Sequence, residues 1–254
     1  MKISAVIIAL NEEDRIRDTL DSCLEVADEI VVVDSYSTDK TVEIAREFGA
    51  RIFQKKFIDY GSQKNFAIEK AENEWILNLD ADERVSPRLK EEILKLKAQE
   101  EIEADGFLIN RKTFYMGRWI KHSGWYPDRK LRLFKKEKSR WRGRIHEGLI
   151  LTGRTGRIGG DILHYTYRDM SDHVLRMNKY SYMQAEDIVK NKKKFLYLRA
   201  LLLPAITFLR FYVWKAGFLD GFPGFVIALV SSWTTGMKYM KAIEIKKVKN
   251  QDKK

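Results

Sequence analysis

The sequence predicts an α/β fold in which a largely parallel sheet is covered by helices on both faces. Four apolar runs rich in β-branched residues support it: "ISAVIIAL" (3–10), "EIVVVD" (29–34), "ARIF" (50–53) and "WILNLD" (75–80). Helical patterns lie between these runs, near residues 12–24, 38–48 and 63–72. Uniformly apolar strands that alternate with helices are typical of parallel sheets buried on both faces.

The elements that follow change in character. "SPRLKEEILKLK" predicts a helix with Ser86 as its N-cap and Pro87 at its first position. Residues 105–165 contain short alternating runs broken by glycines, which indicates antiparallel strands at one edge of the sheet. A long helix is predicted from about Ser171 to Lys190.

The composition indicates a folded chain that is not held by disulfides. It has 254 residues, of which 44% are hydrophobic and 33% charged, and Cys23 is its one cysteine. A single cysteine excludes an intrachain disulfide and a CxxC metal site, and it favours a reducing compartment. The first apolar run is short and meets Asn11 and three acids at once, so it is predicted to be a strand and not a signal peptide.

Charge is distributed unevenly along the chain. Residues 1–110 carry 15 Lys and Arg against 25 Asp and Glu, whereas residues 111–254 carry 32 against 11. A basic half can face nucleic acid, an anionic membrane or a phosphorylated substrate, and charge alone does not choose among these.

The last 60 residues combine apolar runs with aromatic and basic residues. Arg199, Pro204 and Arg210 are among the residues that interrupt these runs, so none is expected to reach the roughly 20 residues of a membrane-spanning helix. Apolar helices with Trp, Tyr and Arg at their margins are typical of segments that lie in a membrane interface. Helices that complete a soluble core or a dimer interface are the alternative.

Polar residues directly follow three of the predicted parallel strands. Asn11 and Glu12 follow the first, Asp34 and Ser35 the second, and Asp80 and Asp82 the fourth. Ligands of open α/β sheets bind at the carboxyl ends of the strands, so these side chains are expected at one edge. Two carboxylates one residue apart can bind a hard divalent cation that keeps positions for phosphate oxygens.

Six motifs occur in an order that resembles glycosyltransferase family 2 enzymes with the GT-A fold, and the branch that it looks closest to is the lipopolysaccharide-core β-glucosyltransferases. The motifs are "VIIALNEE", "VVVDSYSTDKT", "GSQKNFAI", "WILNLDADE", "RKLRLF" and "RIHEGL". The resemblance implies a Rossmann-like nucleotide-binding domain, a nucleotide-sugar donor, a divalent metal (Mg²⁺ or Mn²⁺) and an inverting transfer.

By this resemblance most of the donor and metal residues lie at the predicted strand ends. The donor residues are Leu10, Asn11, Glu12, Asp34, Ser35, Lys64, Asp80 and Arg132. Among them, Asp34 is expected to accept a hydrogen bond from the nucleotide's base. Arg132 is preferred as a contact of the diphosphate or the acceptor because arginine binds phosphate bidentately, and a solvated basic strand edge is the alternative. The expected metal ligands are Asp82 and Asp80, while Glu83 is left to tune the local potential or to bond to the backbone. From its residue type, His164 is a further candidate ligand of the metal or the diphosphate, and a buried histidine bonded to a backbone carbonyl is the alternative.

An inverting transfer needs a base that removes the acceptor's proton as its oxygen attacks. Glu147 is the preferred base, and its neighbour His146 is a rival base or an orienting group. On a strand the two side chains point to opposite faces, so one of them is expected to enter the site. The structural alternatives are a core histidine at 146 and an ion pair between Glu147 and Arg142 or Arg144.

The leading hypothesis is a metal-dependent transferase that moves a hexose, glucose by preference, from a UDP-sugar to a lipopolysaccharide-core or lipid-linked glycan. We expect it at the cytoplasmic face of the inner membrane, as a peripheral or monotopic protein with no nucleic-acid partner. A nucleotidyltransferase and a non-enzymatic membrane-surface module are the alternatives. The predicted divisions are a nucleotide-sugar-binding half (1–110), an acceptor-binding half (111–170) and a helical, basic region (171–254).

Overall fold

The structure is a computed structural model that describes residues 1–142 and 148–251. Its strands are β1 (Ile3–Ala9), β2 (Glu29–Asp34), β3 (Arg51–Gln54), β4 (Trp75–Asp80), β5 (Glu83–Val85), β6 (Gly106–Tyr115), β7 (Arg118–Trp119), β8 (Asp128–Lys135), β9 (Ser139–Arg142), β10 (Gly148–Leu151) and β11 (Thr155–His164). Its α-helices are α1 (Ile16–Cys23), α2 (Thr41–Glu47), α3 (Tyr60–Lys70), α4 (Pro87–Lys97), α5 (Met170–Lys190), α6 (Leu196–Leu209) and α7 (Gly221–Gln251).

The chain divides into two compact units. The first contains the described parts of Met1–Lys112 and Asp128–His164, and the second those of Thr113–Pro127 and Tyr165–Lys254. Most of the sheet and helices α1 to α4 belong to the first unit. The end of β6, strand β7 and helices α5 to α7 belong to the second.

Parallel strands form one side of the sheet, in the order β3-β2-β1-β4. In this register Ala9 pairs with Asp34, and Ile8 pairs with Asp80. The ends of three neighbouring strands therefore lie at one edge, as predicted. Side chains of both faces of these strands are buried in two apolar clusters, which explains why the strands read as uniformly apolar.

Antiparallel strands form the other side of the sheet. Strand β8 pairs antiparallel with β4, and β6 pairs antiparallel with β8. Strands β11 and β5 complete the order β8-β6-β11-β5. The prediction of antiparallel strands between residues 105 and 165 is confirmed, and their placement puts the side chains of β8 next to the carboxyl end of β4.

Helix α4 begins where the sequence predicted. The hydroxyl of Ser86 accepts a hydrogen bond from the backbone N–H of Leu89 at 3.2 Å, and Pro87 is the first helical residue. Leu89 and Ile93 are fully buried beneath the sheet. Asp80 and Asp82 precede the helix by several residues, so Ser86, and not these acids, caps it.

The expectation that no C-terminal run is long enough to span a membrane was wrong. In the described part of the chain, one stretch, Leu196–Trp214, is long and apolar enough to do so by length and composition alone, with a mean hydropathy of 1.5. Pro204 lies inside α6 and does not end it. Its carbonyl accepts a hydrogen bond from the Ser232 hydroxyl at 2.8 Å, which ties α6 to α7 at this position.

Candidate active site

The loop after β2 is folded around Asp34. This carboxylate is fully buried and accepts hydrogen bonds from the backbone N–H groups of Tyr36 (3.0 Å) and Ser37 (3.1 Å). The Gln54 side chain of β3 donates a third, at 3.3 Å. Tyr36 has a left-handed backbone with a φ of 66°, which turns the chain back over the carboxylate. Asp34 therefore orders the loop that the sequence assigns to the nucleotide.

The loop after β1 is joined to the loop after β2. The Asn11 side-chain oxygen accepts from Thr38 N–H, and the Asn11 N–H donates to the Ser37 hydroxyl, both at 2.9 Å. Glu12 N–H donates to the Thr41 hydroxyl at 2.8 Å. Leu10 stays about half exposed above this junction. The sheet edge thus carries one continuous, preformed rim built from the first two strand ends.

Helix α3 brings the predicted residue Lys64 and its neighbour Gln63 to this edge. Gln63 donates to the Ser35 hydroxyl at 2.8 Å. The next residue, Lys64, is buried, and its ammonium group lies 3.1 Å from Asp80 Oδ1. The α3 sequence therefore connects the ends of β2 and β4.

Asp80 lies in a network of buried charges at the end of β4. Arg132 of β8 donates to Asp80 Oδ2 at 2.9 Å, to Glu83 Oε1 at 2.7 Å and to Asn78 Oδ1 at 3.1 Å. Glu83 in turn accepts from the backbone N–H of Asp80 at 3.0 Å, the backbone bond that the sequence offered as one alternative for this acid. Arg132 and Glu83 are almost completely buried, so the network has little screening by water.

Asp80 and Arg132 are both held in their ionised forms. Burial acts to raise the pKa of Asp80, but the nearby charges of Lys64 and Arg132 outweigh it and hold that pKa below its ordinary value. Burial acts to lower the pKa of Arg132, and here Glu83 and Asp80 outweigh it and raise that pKa. The site therefore keeps its carboxylate and its guanidinium charged at neutral pH.

Arg111 extends the network, and sequence reasoning missed it. Its guanidinium lies 3.4 Å from Glu83 Oε1 and 2.7 Å from Asp128 Oδ2. Asn78 was also missed, although a polar residue at the centre of "WILNLD" is a visible signal in an apolar strand. No comparable signal marks Arg111, because its partners come from strands that are distant in sequence.

Asp82 pairs with residues outside this network, His164 and Arg15. Its Oδ2 atom is 3.5 Å from His164 Nε2 at the end of β11 and 3.6 Å from Arg15 Nη1. Asp82 and His164 are both mostly buried. Two of the three predicted metal ligands are thus brought together from positions far apart in the sequence, whereas Asp80 is engaged by Lys64 and Arg132.

Comparison with known proteins shows which family this chain belongs to. The sequence model described as "Glycosyl transferase family 2" matches residues 4–159, more than half of the chain. The chain belongs to this family. It is therefore a glycosyltransferase, and the GT-A-like α/β fold and C-terminal helices that the resemblance implied are confirmed.

Two relatives that cover nearly the whole chain are named as glycosyltransferases. The lipopolysaccharide core biosynthesis glycosyltransferase LpsC of Rhizobium meliloti is 31% identical, over 99% of this chain and 97% of its own. An uncharacterised glycosyltransferase of Rickettsia typhi is 32% identical, over 96% of this chain and 87% of its own. The crystal structure of S. aureus TarS 1–349 is similar over 98% of this chain and 92% of its own, at 16% identity and a TM-score of 0.49.

The residues of this family 2 chain fit a divalent cation only in part. A hard cation takes carboxylate oxygens and shares its remaining positions with water or phosphate. Asp82 and His164 offer one carboxylate and one imidazole, which suits a cation that a donor diphosphate also binds. Within residues 1–142 and 148–251, no group of three or more His, Cys, Asp or Glu side chains is placed to hold a metal. Around Asp82 and His164, water or donor phosphates would fill the remaining positions of a bound cation.

The predicted bases His146 and Glu147 lie outside the described residues. The strand that precedes them is fixed beside the charge network. Asn65 exchanges two hydrogen bonds of 2.9 Å with the backbone of Trp141, and the Lys64 ammonium lies 4.5 Å from the centre of the Trp141 ring. The assignment of His146 and Glu147 as catalytic residues stays a prediction.

Proposed function

We propose that this glycosyltransferase moves a hexose from a UDP-sugar to a lipopolysaccharide-core or lipid-linked glycan, with inversion and with a divalent metal. The observation that carries the proposal is the pairing of Asp82 with His164 at the strand edge that also holds Asp34 and Asp80. The length-wide similarity to LpsC, whose name includes lipopolysaccharide core biosynthesis, supports the acceptor class.

The donor is proposed to lie along the rim formed by the first two strand ends. Leu10, Asn11 and Glu12 would line one side, with Asp34 and Ser35 on the other. Asp34 already accepts hydrogen bonds from three groups, which fixes the loop after β2. The base of the nucleotide would therefore bind to a rim that needs little rearrangement. Such preorganisation lowers the cost of binding the nucleotide.

The charge network is proposed to serve the departing diphosphate. Lys64 and Arg132 hold Asp80 ionised and fix its position, and their positive charge favours an anion nearby. When bound, a divalent cation at Asp82 and His164 would neutralise charge that develops on the leaving group. Asp80 would then contact the ribose or the metal.

Glu147 is proposed as the base that takes the proton from the acceptor hydroxyl, with His146 orienting the acceptor. The acceptor would be met at the cytoplasmic face of the inner membrane by a peripheral or monotopic protein. Family membership removes support from both alternatives, the nucleotidyltransferase and the non-enzymatic membrane module.

Calorimetric titration of UDP with and without Mn²⁺ tests the donor and the metal. We expect Mn²⁺ to strengthen UDP binding to the wild-type protein, and Asp82→Asn to remove that gain. Asp18→Asn is the matched control, because Asp18 is an exposed acid in an ion pair with Arg84. If UDP bound neither with nor without Mn²⁺, the proposed donor would be wrong.

The base is tested by Glu147→Gln in a donor-turnover assay across UDP- and GDP-sugars. General base catalysis contributes about 10² to 10⁴-fold, so we expect a loss of that size in turnover with UDP binding unchanged. Glu137→Gln, at an exposed acid, is the control. Near-normal turnover by the Glu147 variant would remove Glu147 from the mechanism and leave His146 as the candidate base.

A further inference from the structure

One side of helix α6 is packed along its length against α7. Leu196 lies in a buried cluster with Tyr239 of α7, and the Thr207 hydroxyl meets the Thr235 hydroxyl at 3.3 Å. Phe208 contacts Phe225 with ring centres 5.8 Å apart. The two helices therefore run antiparallel, and α7 satisfies the packing needs of this side of α6.

The opposite side of α6 is also apolar, and it is exposed. Its large side chains recur at helical spacing. Further exposed apolar residues continue through the π-helical turn Arg210–Trp214 and the 3₁₀ turn Gly217–Asp220 to the start of α7. We call the following residues the open face: Leu198, Leu201, Leu202, Ile206, Leu209, Val213, Trp214, Phe218 and Phe222. Leu201 is 75% exposed and Trp214 71%. A surface helix of a soluble protein directs one apolar stripe to its core, so a second, exposed stripe indicates another apolar environment.

The segment that carries the open face is rich in cationic residues. Between Asp187 and Glu244 the sequence contains nine Lys and Arg residues and a single acid, Asp220. Asp220 is fully buried and accepts hydrogen bonds from the backbone N–H groups of Lys121 and His122. The exposed charges of this segment are thus all cationic. They are Lys190, Lys192, Lys193, Lys194, Arg199, Arg210 and Lys215, while Lys238 and Lys241 of α7 are half-buried.

We propose that the open face lies in the plane of a bilayer that contains anionic lipids, with Trp214 and Phe218 among the acyl chains and the surrounding lysines at the headgroups. Apolar area bounded by cationic residues is the combination that holds a helix in such an interface. A second copy of the chain fits less well, because two open faces in contact would bring like charges together. The proposal names the surface on which the proposed lipid-borne acceptor would be met, and so it rests on the proposed function.

The position of α7 explains why α6 lies on the membrane and does not cross it. Along its whole length α6 has α7 on one side, and α7 carries Lys238 and Lys241 and hydrogen-bonded hydroxyls. A spanning α6 would take these groups into the hydrocarbon, where charged and polar groups are costly. In the plane of the interface, the open face alone enters the lipid.

Vesicle flotation of the full chain tests the proposal. We expect binding to phosphatidylcholine vesicles that contain phosphatidylglycerol, with a blue shift of tryptophan fluorescence, and weaker binding to phosphatidylcholine alone. The triple variant L201Q/L202Q/W214Q is expected to bind at least about tenfold more weakly, because three exposed side chains lose their apolar burial. The control L24Q/I58Q/L94Q changes three exposed aliphatic residues of the first unit and is expected to bind like the wild type.

A second variant separates charge from apolar area. Replacing Lys192, Lys193 and Lys194 by Ala is expected to weaken binding to the anionic vesicles by about 100-fold, from about 1 kcal/mol for each lysine. Equal binding by wild type and L201Q/L202Q/W214Q, or a dimer that this variant dissociates while vesicles stay unbound, would overturn the proposal. UDP titration of the same variants distinguishes its failure from failure of the proposed function, because donor binding does not involve the open face.

Discussion

The first unit buries charges, whereas the second unit exposes large apolar side chains. In the first, Lys64, Arg132 and Glu83 are almost completely removed from water. In the second, Leu201 and Trp214 are more than two-thirds exposed. Exposed single leucines and buried apolar cores need no explanation, but buried charges and contiguous exposed apolar faces do. Each unit departs from the usual distribution where it is proposed to meet a ligand, a diphosphate in one case and a lipid surface in the other.

Breaking the charge network is expected to have the largest effect on stability. Arg132→Ala leaves Glu83, which is fully buried, without its closest cation, and loss of one partner of a buried ion pair costs about 3–5 kcal/mol. Chemical denaturation should show this loss in the free energy of unfolding. The control is Arg17→Ala, which breaks the half-exposed pair with Glu47 and should cost no more than about 1 kcal/mol. Equal costs for the two variants would show that the buried network contributes no more to stability than an exposed ion pair does.

The second unit has a buried ionisable group of its own, and it predicts a smaller, pH-dependent effect. Burial lowers the pKa of His173 to about 4, while Asp172 acts to raise it and Arg176 to lower it. Its Nδ1 atom lies 2.7 Å from the Tyr115 hydroxyl, and its ring stacks on Tyr167. The fold therefore favours the neutral imidazole.

The sign of the pH effect follows from the two pKa values of His173. In the unfolded chain a histidine titrates near about 6.5, so its contribution to stability is complete above that pH and is lost as the pH falls toward about 4. Between pH 7.5 and pH 5.5 the expected loss is about 1 kcal/mol. His173→Gln should lack this loss while wild type shows it in denaturant unfolding at both pH values. A variant with the same pH dependence as wild type would assign the loss to other groups.

Sequence patterns anticipated the strand edge because local signals suffice there. "WILNLD" is apolar except for Asn78 up to its end at Asp80, and it forms β4 over the predicted residues. Ser86 with Pro87 marks the start of α4. The partners of Asp80 could not be anticipated in the same way. Arg132 reaches it through the antiparallel pairing of β8 with β4, and no periodicity in either segment encodes that register.

The C-terminal helices were harder to predict for a different reason. Pro204 and Arg210 look like interruptions when the chain is considered alone, but α7 supplies a hydroxyl to the Pro204 carbonyl and a packing surface for the helix. Apolar residues occur on both sides of α6, so the sequence does not show which side is covered. Only the tertiary structure does. The open face is visible only once the covered side is known.

The smallest expected effect on folding gives the sharpest contrast between the units. Leu77→Ala in β4 removes a fully buried side chain and is expected to cost about 2–5 kcal/mol in the free energy of unfolding. Leu201→Gln removes a side chain of similar size that is 75% exposed, and surface substitutions usually change stability by less than about 0.5 kcal/mol. The same Leu201 variant should nevertheless weaken binding to anionic vesicles, because the leucine is proposed to be buried only there. If Leu201→Gln destabilised the protein in solution as much as Leu77→Ala, the open face would be part of the folded core, and its exposure could not be attributed to a membrane.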